Sequence, residues 1–149
     1  MKRLLLCMTI AASLMGCARG FEIATPDGFA ELDDERYDYR ATNAEGVVLG
    51  VRKKANEPQG DLTFWSGAVD AHLRRQGYAA VKHVDLESAS GIRGKQLRYE
   101  RHLGGRAHAY WITVFVTDAS VITVEAGGDE AFFEGKKTAV EKAIRSLAI

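Results

Sequence analysis

His102 and His108 flank Gly104-Gly105, a spacing at which a tight hairpin could present two imidazoles to one metal ion. Strand register argues against that use. If Leu103 pairs with Arg106, residue 102 points to the side of 107, 109 and 111, and residue 108 to the side of 101, 103 and 110. The two rings then face opposite ways and share no ion. His72 falls on the apolar side of a helical pattern and reads as a hydrogen-bonded boundary histidine, while His83, beside Lys82, reads as exposed. Asp33-Asp34-Glu35 offers carboxylates to calcium but has neither the alternating Asp spacing nor the distal Glu of a calcium loop, so it reads as a solvated acidic corner. Gly127-Gly128-Asp129 lacks the lysine of a phosphate loop and reads as a helix cap. None of Ser66, Ser88, Ser90, Ser120 and Ser146 stands in a G-x-S-x-G elbow or has a histidine placed to suggest a dyad. No catalytic, cofactor or metal residue is assigned. What remains is surface: Arg98 opposite Trp111 can stack as a cation–π pair. Trp111, Phe115 and Arg98 are thus a candidate partner surface where helix cover ends, unless helices cover these aromatics as core.

Cysteine chemistry points elsewhere. Met1-Lys2-Arg3 opens a short basic segment, Leu4 to Leu14 is an apolar run, and Leu14-Met15-Gly16-Cys17 closes it. This is the layout of a secretory signal. The apolar run is about eleven residues, against roughly 20 for a transmembrane helix, and no A-x-A-type cleavage site follows within ten residues. The Leu-x-Gly-Cys version resembles the lipobox of bacterial lipoproteins. That resemblance implies cleavage before Cys17, a diacylglycerol on its thiol and acylation of its new amino group. Ala18 in place of Asp then implies export to the outer membrane, facing the periplasm. Residues 1–16 are the expected leader, 17–20 the lipidated cysteine and tether, and 21–149 a single domain.

Cleavage after residue 16 of 149 leaves 133 residues, enough for one core. The whole chain has 20 basic and 20 acidic residues, and losing Lys2 and Arg3 leaves a net charge of about −2. That balance recruits no nucleic acid. Cys7 goes with the leader and Cys17 to lipid, so the domain holds no disulfide, cysteine nucleophile or thiolate metal site.

The elements that position these residues follow from periodicity. Phe21 to Thr25 and Phe29 to Leu32 read as short strands around a Pro26-Asp27-Gly28 turn. Tyr37, Tyr39 and Ala41 alternate with charges, as do Val47, Leu49 and Val51 with their neighbours. Setting Ala41 opposite Val47 pairs Tyr39 with Leu49 and Tyr37 with Val51. Asp61 is a suitable N-cap for a helix over 61–76 with the stripe Leu62, Trp65, Ala68, Val69, His72 and Leu73, stopped by Gly77. A strand over 79–87 and a turn at 88–91 lead to a long hairpin, 92–103 and 106–117, joined by Gly104-Gly105. One of its faces carries Leu97, Tyr99, Tyr110, Ile112 and Val114, the other Trp111 and Phe115, so both sides are expected to be covered. A strand over 121–126 and a final helix with Phe132, Phe133, Lys136, Val140, Ala143, Ile144 and Leu147 close the chain. The order ββββ-α-ββββ-α predicts an α+β fold, a mostly antiparallel sheet flanked by helices in three layers.

The Phe21-x-Ile23-x-x-Pro26-x-Gly28-Phe29 opening, the hairpin, the helix with a central Trp65, the long meander and the closing amphipathic helix resemble the Mog1/PsbP-like superfamily over nearly all of 21–149. The resemblance implies a binding or assembly factor and brings no catalytic signature. The expected function is a non-catalytic accessory, lipid-anchored to the membrane, whose partner is an envelope protein or a small ligand. The alternatives are a metal-free hydrolase built from Asp, Glu and His across the sheet, and a purely structural envelope component.

Overall fold

The computed structural model describes residues 19–149, so the leader and Cys17 lie outside it. Seven strands make one antiparallel sheet: β1 (Ala30–Glu31), β2 (Tyr39–Thr42), β3 (Val48–Ala55), β4 (Ala79–Glu87), β5 (Arg93–Leu103), β6 (Arg106–Val116) and β7 (Ser120–Asp129). Their spatial order is β1-β2-β3-β7-β6-β5-β4. Helix α1 (Leu62–Arg75) crosses one face. On the other lie α2 (Glu130–Phe133), a single 3-10 turn (Glu134–Lys136) and α3 (Lys137–Arg145).

The β5–β6 hairpin has the predicted register, with Leu103 opposite Arg106, Tyr99 opposite Tyr110 and Leu97 opposite Ile112. Its turn works because Gly104 and Gly105 sit at φ 57° and 78°, a region that costs other residues about 1–2 kcal/mol each. Replacing both by Val is therefore expected to lower the urea midpoint by an amount equivalent to about 2–4 kcal/mol. Gly135→Ala serves as control, since a Cβ there meets nothing within 4 Å. Equal midpoints for the double variant and the parent would place the turn elsewhere.

The sheet is sandwiched as its two-sided apolar pattern requires. Tyr39, Leu49, Val51, Trp111, Phe115, Ile122 and Val124 pack with Phe133, Val140, Ile144 and Leu147. On the opposite face Leu97, Tyr99 and Ile112 pack with Leu73, Val69 and Tyr78. The second core is smaller because α1 packs chiefly on β5 and β6.

Four expectations are corrected. Phe21–Thr25 forms no strand; it makes one bridge, Glu22 with Ala148, so three strands and not four precede α1. Ala41 pairs with Leu49 and Tyr39 with Val51, a shift of two residues. The cause is Asn43, whose Oδ1 accepts from the Glu45 and Val47 amides and draws Val47 into the turn. Gly127 and Gly128 belong to β7, and Asp129 alone caps α2 by accepting from the Ala131 amide. The final helix is broken at Glu134–Lys136, which leaves Phe132 exposed while Phe133 stays buried.

Candidate functional site

Asp61 caps α1 by accepting from the Phe64 amide at 2.7 Å, which fixes where the helix starts above the sheet. The preceding loop is held by Asn56. Its amide nitrogen donates to the carbonyls of Gly60 (2.9 Å) and Thr117 (3.0 Å), and its oxygen accepts from the Gly60 amide (3.0 Å) and Trp65 Nε1 (2.7 Å). One buried side chain thus joins the end of β3, the β6–β7 turn and the first turn of α1. Beside this node opens a cleft of about 1300 Å³ between the amino end of α1 and the lower part of the β4–β5 hairpin. Its walls include Asp61, Phe64, Asp85, Glu87, Lys95 and Arg145. Phe64 stands edge-on to Trp65 with ring centres 5.2 Å apart, yet remains 51% exposed. The cleft therefore combines an aromatic anchor with charges of both signs, a lining suited to binding.

A second polar group sits under the carboxyl half of α1. Tyr99 donates to Asp70 at 2.6 Å, Arg74 binds the other Asp70 oxygen at 2.8 Å, and His83 Nε2 lies 3.8 Å away. Burial works against the Asp70 charge, but the bonds from Tyr99 and Arg74 outweigh it and hold its carboxyl below the usual range. Burial, and then Asp70 itself, push the Tyr99 hydroxyl far up. On the part of this face beyond α1, Arg52 pairs with Glu125, and Tyr37 lies between Arg52 (4.1 Å) and Arg40 (4.8 Å). Burial, followed by the Glu125 carboxylate, raises the Tyr110 hydroxyl there as well.

The aromatic partner surface is corrected. Trp111 and Phe115 lie inside the core, because α2 and α3 cover their face; Trp111 meets Phe133 edge-on at 4.9 Å. Arg98 does stack on Trp111, at 3.8 Å, but as a lid tied to Gln96 (2.7 Å) and Glu141 (2.5 Å). His102 pairs with Ala107 and His108 with Arg101, so the two rings do lie on opposite faces. His72 is exposed and not at a packed boundary. Among the described residues no three of His, Cys, Asp and Glu are placed to hold a metal ion.

The acidic corner is more structured than a solvated turn. Asp34 accepts from Arg36 Nε and Nη2, both at 2.9 Å, and lies 3.4 Å from Arg40. The Arg36 bonds hold the Asp34 carboxyl at about 2 against an ordinary 3.8. A lowered value means the pairing acts in full above about pH 4 and is lost as the pH falls toward 2. Carboxyl-carbon NMR is expected to show an Asp34 midpoint near 2, moving up toward 3.8 in Arg36→Ala. An ordinary midpoint in the parent would refute the pairing.

No protein-family model matches the sequence, and no curated protein does. Solved structures do match the fold. LpqN of Mycobacterium tuberculosis, described as involved in cell envelope biogenesis, aligns with TM-score 0.69 at 12% identity, over 86% of this chain and 82% of its own. The cyanobacterial PsbP of Synechocystis aligns with TM-score 0.62 at 15% identity, over 98% of each chain. The fold is Mog1/PsbP-like. A Pseudomonas aeruginosa protein of unknown function shares it, with TM-score 0.59 at 14% identity over 81% of each chain. At these identities the Mog1/PsbP-like likeness concerns architecture, and the cleft has to be read from its own residues.

Proposed function

We propose that the chain is a lipid-anchored protein of the cell envelope, held through Cys17 at the outer membrane and facing the periplasm, and that it works as a binding or assembly accessory without catalysis of its own. The observation that carries the binding role is the open cleft with the half-exposed Phe64 at its mouth. A volume of about 1300 Å³ exceeds the roughly 300–1,000 Å³ of small-molecule pockets and favours a segment of a partner protein. The likeness to LpqN, itself involved in envelope biogenesis, supports the location. A hydrolase would draw on Asp70, Tyr99 and His83. Against it, both Asp70 oxygens are already occupied, and His83 lies beyond hydrogen-bonding distance.

A photo-cross-linking side chain at position 64 of the full-length chain, compared with one at the similarly exposed Phe132, tests the cleft. The expected result is a discrete product from position 64 only. Equal products at both sites, or none, would refute the binding role. In the same cells Cys17→Ser is expected to leave the chain unlipidated and uncleaved, which mass spectrometry of the N-terminus reads directly. A normally processed N-terminus in that variant would remove the lipid anchor.

A further inference from the structure

The sheet ends unequally. On one side β1 contributes two residues; on the other β4 runs for nine, and among the described residues its outer backbone groups bond to no other part of the chain. Such a row is a template for another strand. Val81, Lys82, His83, Asp85 and Glu87 are all exposed and Val84 is half-buried, while Leu86 packs into the α2–α3 core, so the edge is open to solvent over most of its length. An irregularity between Ala80 and Lys82 ends the even ladder at one side and the Ser88–Gly91 turn at the other, leaving 82–87 as the regular stretch.

We propose that this edge pairs with β4 of a second copy, antiparallel about a two-fold axis through Val84. Symmetry and charge select that register. Directly opposed residues of an antiparallel pair point to one side of the sheet. Each residue can therefore meet only itself or a residue an even number of places away. An axis at Asp85 sets the two Asp85 carboxylates against each other. An axis at His83 sets imidazole against imidazole and gives Asp85 no cation to face. An axis at Val84 sets each His83 opposite Asp85 of the other copy, twice by symmetry, with Lys82 opposite Leu86. Both members of that pair are exposed, and the one ion pair each already makes is long and leaves its side chain open to a second partner. His83 is 45% exposed and 3.8 Å from Asp70, while Asp85 is 86% exposed and 3.9 Å from Lys95. The contact is isologous and closes on itself, giving one continuous sheet with helices on both faces. It also brings the two clefts side by side, since Asp85 and Glu87 line both the edge and the cleft.

The test uses single cysteines introduced into the full chain with Cys7 and Cys17 kept, since processing removes the first and lipid takes the thiol of the second, and the parent chain run beside them shows any link that Cys17 makes by itself. Val84→Cys puts the two copies' Cα atoms about 4.5–5.5 Å apart, within disulfide range. At a rise of about 3.4 Å per residue, Asp85→Cys and Lys82→Cys put them roughly 8 and 14 Å apart, outside it. In oxidised envelopes, Val84→Cys is expected to migrate as a covalent dimer and the other two as monomers. Monomer at Val84→Cys, equal dimer at all three positions, or a Val84→Cys link to a different protein overturns the proposal. Sedimentation of the full chain in detergent gives an independent reading. Asp85→Lys is expected to convert the dimer to monomer, and exchanging the pair, His83→Asp with Asp85→His, to restore it. A dimer indifferent to Asp85→Lys, or an exchange that restores nothing, counts against the pairing.

Discussion

Phe115→Ala is expected to destabilise the domain by about 3–5 kcal/mol, a large share of the roughly 5–15 kcal/mol that holds a domain together. Phe115 is fully buried on β6, opposite Ile122 on β7 and Gly94 on β5. Its ring lies over Gly94 so closely that a Cβ there would stand 2.5 Å from it. A neighbour without a side chain cannot move into the vacated space, so the cavity stays open and the cost falls at the upper part of the range. Urea denaturation reads this as a large drop in midpoint with an unchanged slope. A midpoint like that of the parent would mean that α2 and α3 do not hold the ring, and would return Phe115 to the surface.

Asn56→Ala comes second. It strands the Trp65 ring N–H, the Gly60 amide and two carbonyls at a place the loop keeps buried. With about 1–3 kcal/mol for each buried polar group left unpaired, and water re-entering for some, the expected loss is about 2–4 kcal/mol. The chain has two tryptophans, which makes the site of the damage readable. Emission from Trp65 shifts to the red as its end of α1 lifts, while Trp111 in the opposite core stays as it was. Asn56→Asp keeps the acceptor for Trp65 and loses only the donors, so it falls between parent and alanine. Loss of both tryptophan signals together in Asn56→Ala would show global unfolding and no local role for this node.

Sequence made the long hairpin plain because three independent demands agree there. Gly104-Gly105 requires positive φ, the strands alternate in phase, and β6 is apolar on both sides, which calls for two helix layers. Alternation does not fix the register of the Tyr39 strand, because a two-residue slip leaves its inward face unchanged. The Asn43 side chain, spent on two turn amides, and the Thr42 hydroxyl on the Val47 carbonyl hold the observed register. The stripe along α1 overstated its burial for a related reason: periodicity tells which side of a helix is apolar, not how many strands lie beneath it. The polar sites were illegible in a different way. Asn56 meets Thr117 across 61 residues, Asp70 meets Tyr99 across 29, and Arg52 meets Glu125 across 73. Each of these residues alone is an ordinary strand, loop or helix residue. Trp111 and Phe115 were legible as important and ambiguous as to place, since a large aromatic on a strand looks the same in a core and on a docking face.

The Glu22–Ala148 bridge has a mechanical meaning. The Glu22 amide donates to the Ala148 carbonyl and the Ala148 amide donates back, while the Ala24 amide is held by Ser146 and the Gly20 carbonyl by Lys53. The Ala89 amide in turn grips the Leu147 carbonyl. The two ends of the domain are thus stitched to each other as well as to the sheet. Tension entering at residue 19 meets this stitch, and through it the end of α3 and the β4–β5 turn, in addition to the Arg19–Glu31 contact with β1. Three residues at the carboxyl end, Ser146 to Ala148, therefore share the load when the domain is pulled from its amino end.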